Sequence, residues 1–233
     1  MNQTPAAPVA PAVANEGVVV LFDFDGVLLR GDSFAAFMRH RYRRAPWCAL
    51  IALPVALAML PWWVSARGRR RVVRAFVHAA LLGVSESRYR LMVEAFACEL
   101  AERPRIFLRE GVATLRRHLA AGDRVIIVTG CEERLVRALF ASIGLHGLHF
   151  VASRLRGGWI GMRTEVHCFG ARKVAQLAAN GIVAPWDVAY TDSIADAPML
   201  RGAREAVLVN GDPKTCKALE RAIGGPLRRV EWK

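Results

Sequence analysis

The stretch VVVLFDFDG at residues 18–26 constrains the fold more than any other part of the chain. Its consecutive apolar residues, with no polar alternation, suit a strand covered on both faces, the usual state in a parallel sheet. The run then stops abruptly in two carboxylates and a glycine. Runs of the same kind recur as RVIIVTG at 124–130, WDVAYTD at 186–192 and EAVLVNG at 205–211. Between them, Gly111–Ala121, Glu132–Ile143 and Ala171–Ala179 carry leucine and valine at the three- and four-residue spacings of amphipathic helices. Strand and helix in alternation predict an α/β fold with a Rossmann-like parallel sheet. The segment HFVASRLRGGWIGMRT at 149–164 differs, and reads as a hairpin whose two extended pieces flank Gly157-Gly158.

From about Gly31 to Pro104 only helical periodicity is visible. This predicts a helical cap (31–104) inserted into a core made of residues 18–30 and 105–233. Met1 to Gly17 is rich in proline and alanine and predicts a disordered tail. That tail has neither the positive start nor the unbroken apolar stretch of a secretory signal.

Composition narrows the function classes. Lysine and arginine number 33 against 20 acidic residues, a net charge of +13, which favours polyanionic or phosphorylated partners. A hydrophobic fraction of 54% excludes a mainly disordered chain. The five cysteines, at 48, 98, 131, 168 and 216, form no C-x-x-C pair, so neither a disulfide framework nor a zinc ribbon is expected. No nucleic-acid recognition motif or aromatic-interleaved basic stripe appears, and no nucleic-acid partner is expected.

The chemistry sits at the predicted strand ends. Asp23 and Asp25, two apart in an extended chain, project to one side and can address one ligand. They lie at the carboxyl end of a parallel strand, where open α/β sheets bind ligands. The second strand closes in Thr129-Gly130, a hydroxyl beside an amide that an anion can approach. Another ends in Asp192, with Asp196 one helical turn further on. So many carboxylates call for a cation, and oxygen ligands of this kind suit Mg²⁺. Lys173 opens a helix in a chain whose first 172 residues contain no other lysine, and its compact ammonium fits against a single phosphate oxygen. Each element alone has a plainer explanation, since Asp-Gly makes turns and aspartate, serine and threonine cap helices. Their joint appearance in this order is far more specific.

Asp23-Phe24-Asp25-Gly26-Val27, Thr129-Gly130, Lys173 and Asp192-Ser193-Ile194-Ala195-Asp196 resemble the four ordered motifs of the haloacid dehalogenase (HAD) superfamily of phosphatases, subfamily IB type. The resemblance implies that Asp23 is the nucleophile, forming an aspartyl-phosphate, and Asp25 the general acid and base. It implies that Thr129, the Gly130 amide and Lys173 bind the phosphate. Mg²⁺ would be held by Asp23, Asp192 and the backbone carbonyl of Asp25, with Ser193 and Asp196 supporting the site. Val27 and Thr191 depart from the residues most often found there, threonine and glycine respectively.

The remaining feature is the uncharged run APWCALIALPVALAMLPWWVSA at 45–66, with Trp47 at one end, Trp62 and Trp63 at the other, and arginine clusters on both flanks. Residues 45–64 read as a membrane-associating segment or as a buried part of the cap. A single crossing would separate Asp23 from Thr129, Lys173 and Asp192, so the expectation is a re-entrant or interfacial hairpin, helped by Pro54, against an anionic membrane surface. This apolar cap and CFGARKVAQL around the lysine resemble the bacterial phosphatidylglycerophosphatase C group. That resemblance implies a phosphorylated lipid substrate and a place at the cytoplasmic face of the inner membrane. The alternative is a soluble, cytoplasmic small-molecule phosphatase of the phosphoserine phosphatase type. A non-catalytic binding module is the third reading, and Asp23 and Asp25 both being present argues against it.

Overall fold

The computed structural model describes residues 17–59, 61 and 66–233. The expected tail, apart from Gly17, and residues 60 and 62–65 of the apolar run lie outside the described residues.

The predicted strands form as β1 (Val19–Phe22), β2 (Arg124–Glu132), β5 (Trp186–Thr191) and β6 (Ala203–Val209). With β3 (His149–Gly158), β4 (Gly161–Val166) and β7 (Arg228–Val230) they make one sheet in the order β4-β3-β2-β1-β5-β6-β7. Every neighbouring pair is parallel except β3 and β4. The core is an α/β fold with a Rossmann-like sheet, and β1 lies at its centre.

Alternate residues of β1 serve opposite faces, as the pleat requires. Val20 and Phe22 join one buried cluster and Leu21 the other, with Ile126, Val128, Leu177 and Trp186. Each large apolar side chain buried in this way contributes roughly 1.5–3 kcal/mol. One face of the sheet is covered by α7 (Ala171–Ala179), α8 (Ala197–Arg201) and α9 (Pro213–Ile223), which supply Leu177, Leu200 and Leu219 to the second cluster. The other face packs against α5 (Arg109–Ala120) and α6 (Glu133–Ser142), which supply Leu115 and Leu139.

Between β1 and α5 the described residues form the helices α1 (Ser33–Arg44), α2 (Trp47–Ala58), α3 (Ala66–Ala80) and α4 (Glu86–Ala101). Local signals set their ends. Asp32 accepts from the Ala35 N–H to start α1, whose last turn carries Arg41, Arg43 and Arg44 near its negative pole. Ser85 accepts from the Arg88 N–H to start α4. Phe37, Tyr89, Val93 and Phe96 from this insertion share a cluster with Phe22 and Phe24 of the core.

Two local expectations shift. Gly157 and Gly158 are not the turn of the hairpin; they pair with Met162 and Gly161, and Trp159-Ile160 make the loop. Gly161 takes φ +133, a conformation that side chains disfavour, and so supplies the turn geometry one residue later. Helix α2 runs on through Pro54 without turning there. Its missing N–H costs a bond to the Leu50 carbonyl, on a side of the helix where Leu50, Leu53 and Pro54 are exposed to water.

Candidate active site

The register of the sheet brings the sequence motifs to one edge. Phe22 pairs with Ile127 on β2 and with Tyr190 on β5, so Asp23, Thr129-Gly130 and Asp192 leave three adjacent strands at nearly the same level. The Asp23 N–H donates to the Tyr190 carbonyl at 3.0 Å and extends the ladder by one step, which pins the carboxylate at the strand end.

Lys173 enters from α7. Gly170 precedes that helix with φ +57, and its missing side chain lets its backbone pass the Ala195 carbonyl, where a Cβ would lie 3.3 Å away. The Lys173 ammonium lies 2.9 Å from Oδ2 of Asp23 and 2.7 Å from Oδ2 of Asp196, with its side chain only 2% exposed. Burial alone would push the ammonium towards neutrality; the two flanking carboxylates reverse this and hold its pKa above the ordinary lysine value. For Asp23, burial is the largest influence and raises its pKa well above that of a free carboxyl, against the pull of Lys173; the nearby Asp196 raises it further.

Asp25 stands apart from this triad. Its Oδ1 accepts the backbone N–H of Ser33, the first residue of α1, at 2.9 Å. Burial pushes its carboxyl up to about 7, the Ser33 bond works against that, and Asp32 and Asp192 add to it. A group with that pKa can both give and take a proton near neutrality.

Asp192 packs against the loop after β1. A Cβ placed on Gly26 would lie 1.9 Å from Oδ2 of Asp192, so only glycine, here at φ +77, leaves that carboxylate its place. Burial raises the Asp192 pKa as well. Among the described residues no three or more His, Cys, Asp or Glu side chains converge as a self-sufficient metal cage. Two carboxylates and the Asp25 carbonyl suit Mg²⁺ nevertheless, because that ion keeps several waters and takes one or two carboxylates together with substrate phosphate.

The remaining predicted residues act on the backbone. Thr129 Oγ1 accepts the Cys131 N–H at 3.0 Å, at the end of β2 where the register with β3 shifts and the Gly130 amide is presented. Ser193 Oγ accepts the Ala195 N–H at 3.2 Å and caps the short turn Ile194–Asp196. Sequence reasoning missed two holders. Thr191, noted only as a departure, donates to Oδ2 of Asp196 at 2.8 Å and accepts the Ser193 N–H at 3.1 Å. Ser33 was passed over although it directly follows the helix cap Asp32.

Comparison with known proteins gives the family. The family model for haloacid dehalogenase-like hydrolases matches residues 20–201. The Caulobacter vibrioides protein CicA is 30% identical over 207 residues, covering 85% of this chain and 88% of CicA. The probable phosphatase Rv3661 of Mycobacterium tuberculosis is 24% identical over 220 residues, covering 91% of this chain and 75% of that protein. Among solved structures, phosphoserine phosphatase in its apo form superimposes with a TM-score of 0.55 at 14% identity, covering 91% of this chain and 93% of that one, a likeness of fold. With the motifs at one sheet edge and the family model spanning them all, the chain belongs to the haloacid dehalogenase-like hydrolases.

Proposed function

We propose that the chain is a Mg²⁺-dependent phosphomonoester hydrolase that works through an aspartyl-phosphate on Asp23. The observation that carries this reading is the pairing of Asp23 with the buried Lys173, with Asp25 two residues on and its carboxyl pushed up to about 7 by burial. Asp23 attacks phosphorus while Asp25 gives its proton to the departing alkoxide. The deprotonated Asp25 then takes a proton from the water that attacks the aspartyl-phosphate, which returns Asp23 and releases inorganic phosphate. Lys173 faces the phosphoryl oxygens and offsets their charge, and the Gly130 amide adds a hydrogen bond. Asp23, Asp192 and the Asp25 carbonyl would hold Mg²⁺, which supplies charge neutralisation at the phosphate.

The helical insertion directly after the Asp23 motif is the position of a subfamily IB cap, and we assign it that role. The substrate reading that the comparisons favour is a small, soluble phosphomonoester, in line with the likeness to phosphoserine phosphatase.

One observation supports a second reading, a phosphorylated lipid head group such as phosphatidylglycerophosphate handled at the cytoplasmic face of the inner membrane. Helix α2 buries Cys48 and Ala52 but leaves Trp47, Leu50, Leu53 and Leu57 exposed, Leu50 to 74%. Arg43 and Arg44 lie just before it, so an anionic surface would meet both charge and apolar area. Among the described residues no helix is long and apolar enough to cross a membrane. This reading therefore has the helix lie in the interface.

Phosphate release from soluble and liposome-borne phosphomonoesters, with and without Mg²⁺, tests these readings together. Turnover by the wild type that Asp23→Asn abolishes in a folded protein is the expected result. Turnover that survives in Asp23→Asn removes the covalent mechanism.

A further inference from the structure

Between helix α3 of the insertion and strand β4 lies an open cavity of about 430 Å³. Arg74 and His78 line it from α3, Arg163 and Glu165 from β4, and His167 and Arg172 from the segment that leads into α7. Among the described residues, Arg74, Arg163 and Arg172 form no ion pair with any carboxylate. The one acid on the lining, Glu165, lies 3.7 Å from Arg154. His78 Nδ1 is 3.2 Å from the Met162 carbonyl oxygen and donates to it, which ties α3 to β4 across the cavity. Three guanidinium groups with no carboxylate partner around one concave space leave a positive field that only a ligand or water can answer.

Two residues of the lining neighbour the reacting centre along the chain. Arg172 precedes Lys173. His167 precedes Cys168, whose carbonyl lies 3.5 Å from where a Cβ on Gly130 would stand.

We infer that the cavity is a leaving-group subsite for a second anion, so that the preferred substrates carry a carboxylate, a phosphodiester or a second phosphate apart from the scissile phosphate. Guanidinium forks suit all three, because each presents two oxygens in one plane for bidentate bonding. This inference rests on the phosphomonoesterase reading and deepens it.

The test compares kcat/KM for p-nitrophenyl phosphate, whose leaving group is uncharged in the ester, with that for 3-phosphoglycerate, fructose 1,6-bisphosphate and short-chain phosphatidylglycerophosphate. These arms separate carboxylate, phosphate and lipid phosphodiester sources of the second charge. The wild type should favour at least one of the three over p-nitrophenyl phosphate by tenfold or more. Arg74→Gln with Arg163→Gln should remove that preference mainly through KM, and should leave p-nitrophenyl phosphate turnover within about twofold. Arg163→Lys, which keeps the charge without the fork, should retain part of the preference. Hydrolysis of p-nitrophenyl phosphate with no preference for any second anion overturns this inference and leaves the phosphatase reading standing. Equal losses on all substrates in the double variant overturn it too, since they would mark the arginines as structural. No turnover of any ester, with Mg²⁺ present, removes both readings.

Discussion

Ser33 donates its backbone N–H to Oδ1 of Asp25 at 2.9 Å, so the first residue of α1 holds the group proposed as acid and base. The bond favours the charged carboxylate and opposes the burial that lifts Asp25 to about 7. Ser33→Pro isolates it. Ser33 is the first residue of α1, where proline is well tolerated, and Asp32 already has the extended backbone (φ −108, ψ 107) that a following proline demands. Only the N–H and the hydroxyl are lost, and Ser33→Ala controls for the hydroxyl. A hydrogen bond to a charged group is worth roughly 1.5–3 kcal/mol, so the limb of the pH–rate profile set by Asp25 should move up by roughly one to two units in Ser33→Pro. An unmoved profile would mean that Asp25 is not the group that titrates in turnover.

Lys173 bridges Asp23 and Asp196, and its loss has two expected consequences. Lys173→Met should cost roughly 3–4 kcal/mol of transition-state stabilisation, a fall of 10² to 10³ in kcat. It also leaves two buried carboxylates side by side without their cation, which breaks a buried ion pair at roughly 3–5 kcal/mol of stability unless one takes up a proton. Lys173→Arg should rescue little, because a planar fork does not fit where a point charge meets two oxygens. Full activity in Lys173→Arg would show that charge alone suffices.

Gly26→Ala probes the cation site without replacing a proposed ligand. The new methyl would sit 1.9 Å from Oδ2 of Asp192, and φ +77 adds roughly 1–2 kcal/mol of backbone strain for a residue with a Cβ. Asp192 must move. The Mg²⁺ concentration for half-maximal phosphate release should rise tenfold or more in a variant that still folds. An unchanged Mg²⁺ requirement would place the cation elsewhere.

The parallel sheet and the four motif positions were legible because unbroken β-branched runs and their terminal carboxylates are local signals. Residues that hold the motif groups were not. Thr191 reaches Asp196 only because the turn Ile194–Asp196 folds the chain back, and Ser33 reaches Asp25 only because the loop at Gly26 returns towards α1. Both depend on backbone path, which composition and periodicity do not encode. The hairpin loop was misplaced for a related reason: Gly157-Gly158 resembles a turn, yet Gly161 carries the positive φ. Strand β7 pairs with β6 through only three residues and is too short for a periodic signal.

A last contact joins the insertion to the end of β2. Tyr89 of α4 donates its hydroxyl to Oε2 of Glu132 at 2.9 Å, and the same oxygen accepts the Leu135 N–H at 3.1 Å to start α6. Glu132 follows Thr129-Gly130-Cys131 and is 2% exposed. Burial raises its pKa above the ordinary glutamate value, and the bonds from Tyr89 and Leu135 only partly offset this. Between the unfolded and folded pKa values the folded chain keeps a proton that the unfolded chain gives up. Stability therefore falls as pH rises through that window, and the penalty stays in full above the folded value. Glu132→Gln keeps an oxygen for both donors but cannot ionise. Its thermal midpoint should match that of the wild type most closely near pH 4, gain on it as pH rises through the window, and hold that lead above it. Thermal scans of both proteins across that range read the gap directly, and groups titrating alike in the two proteins, Asp25 and Asp192 among them, cancel in the difference. A gap that stays flat with pH, or narrows, would show that Glu132 is already paired well enough in the folded state to carry its charge without cost.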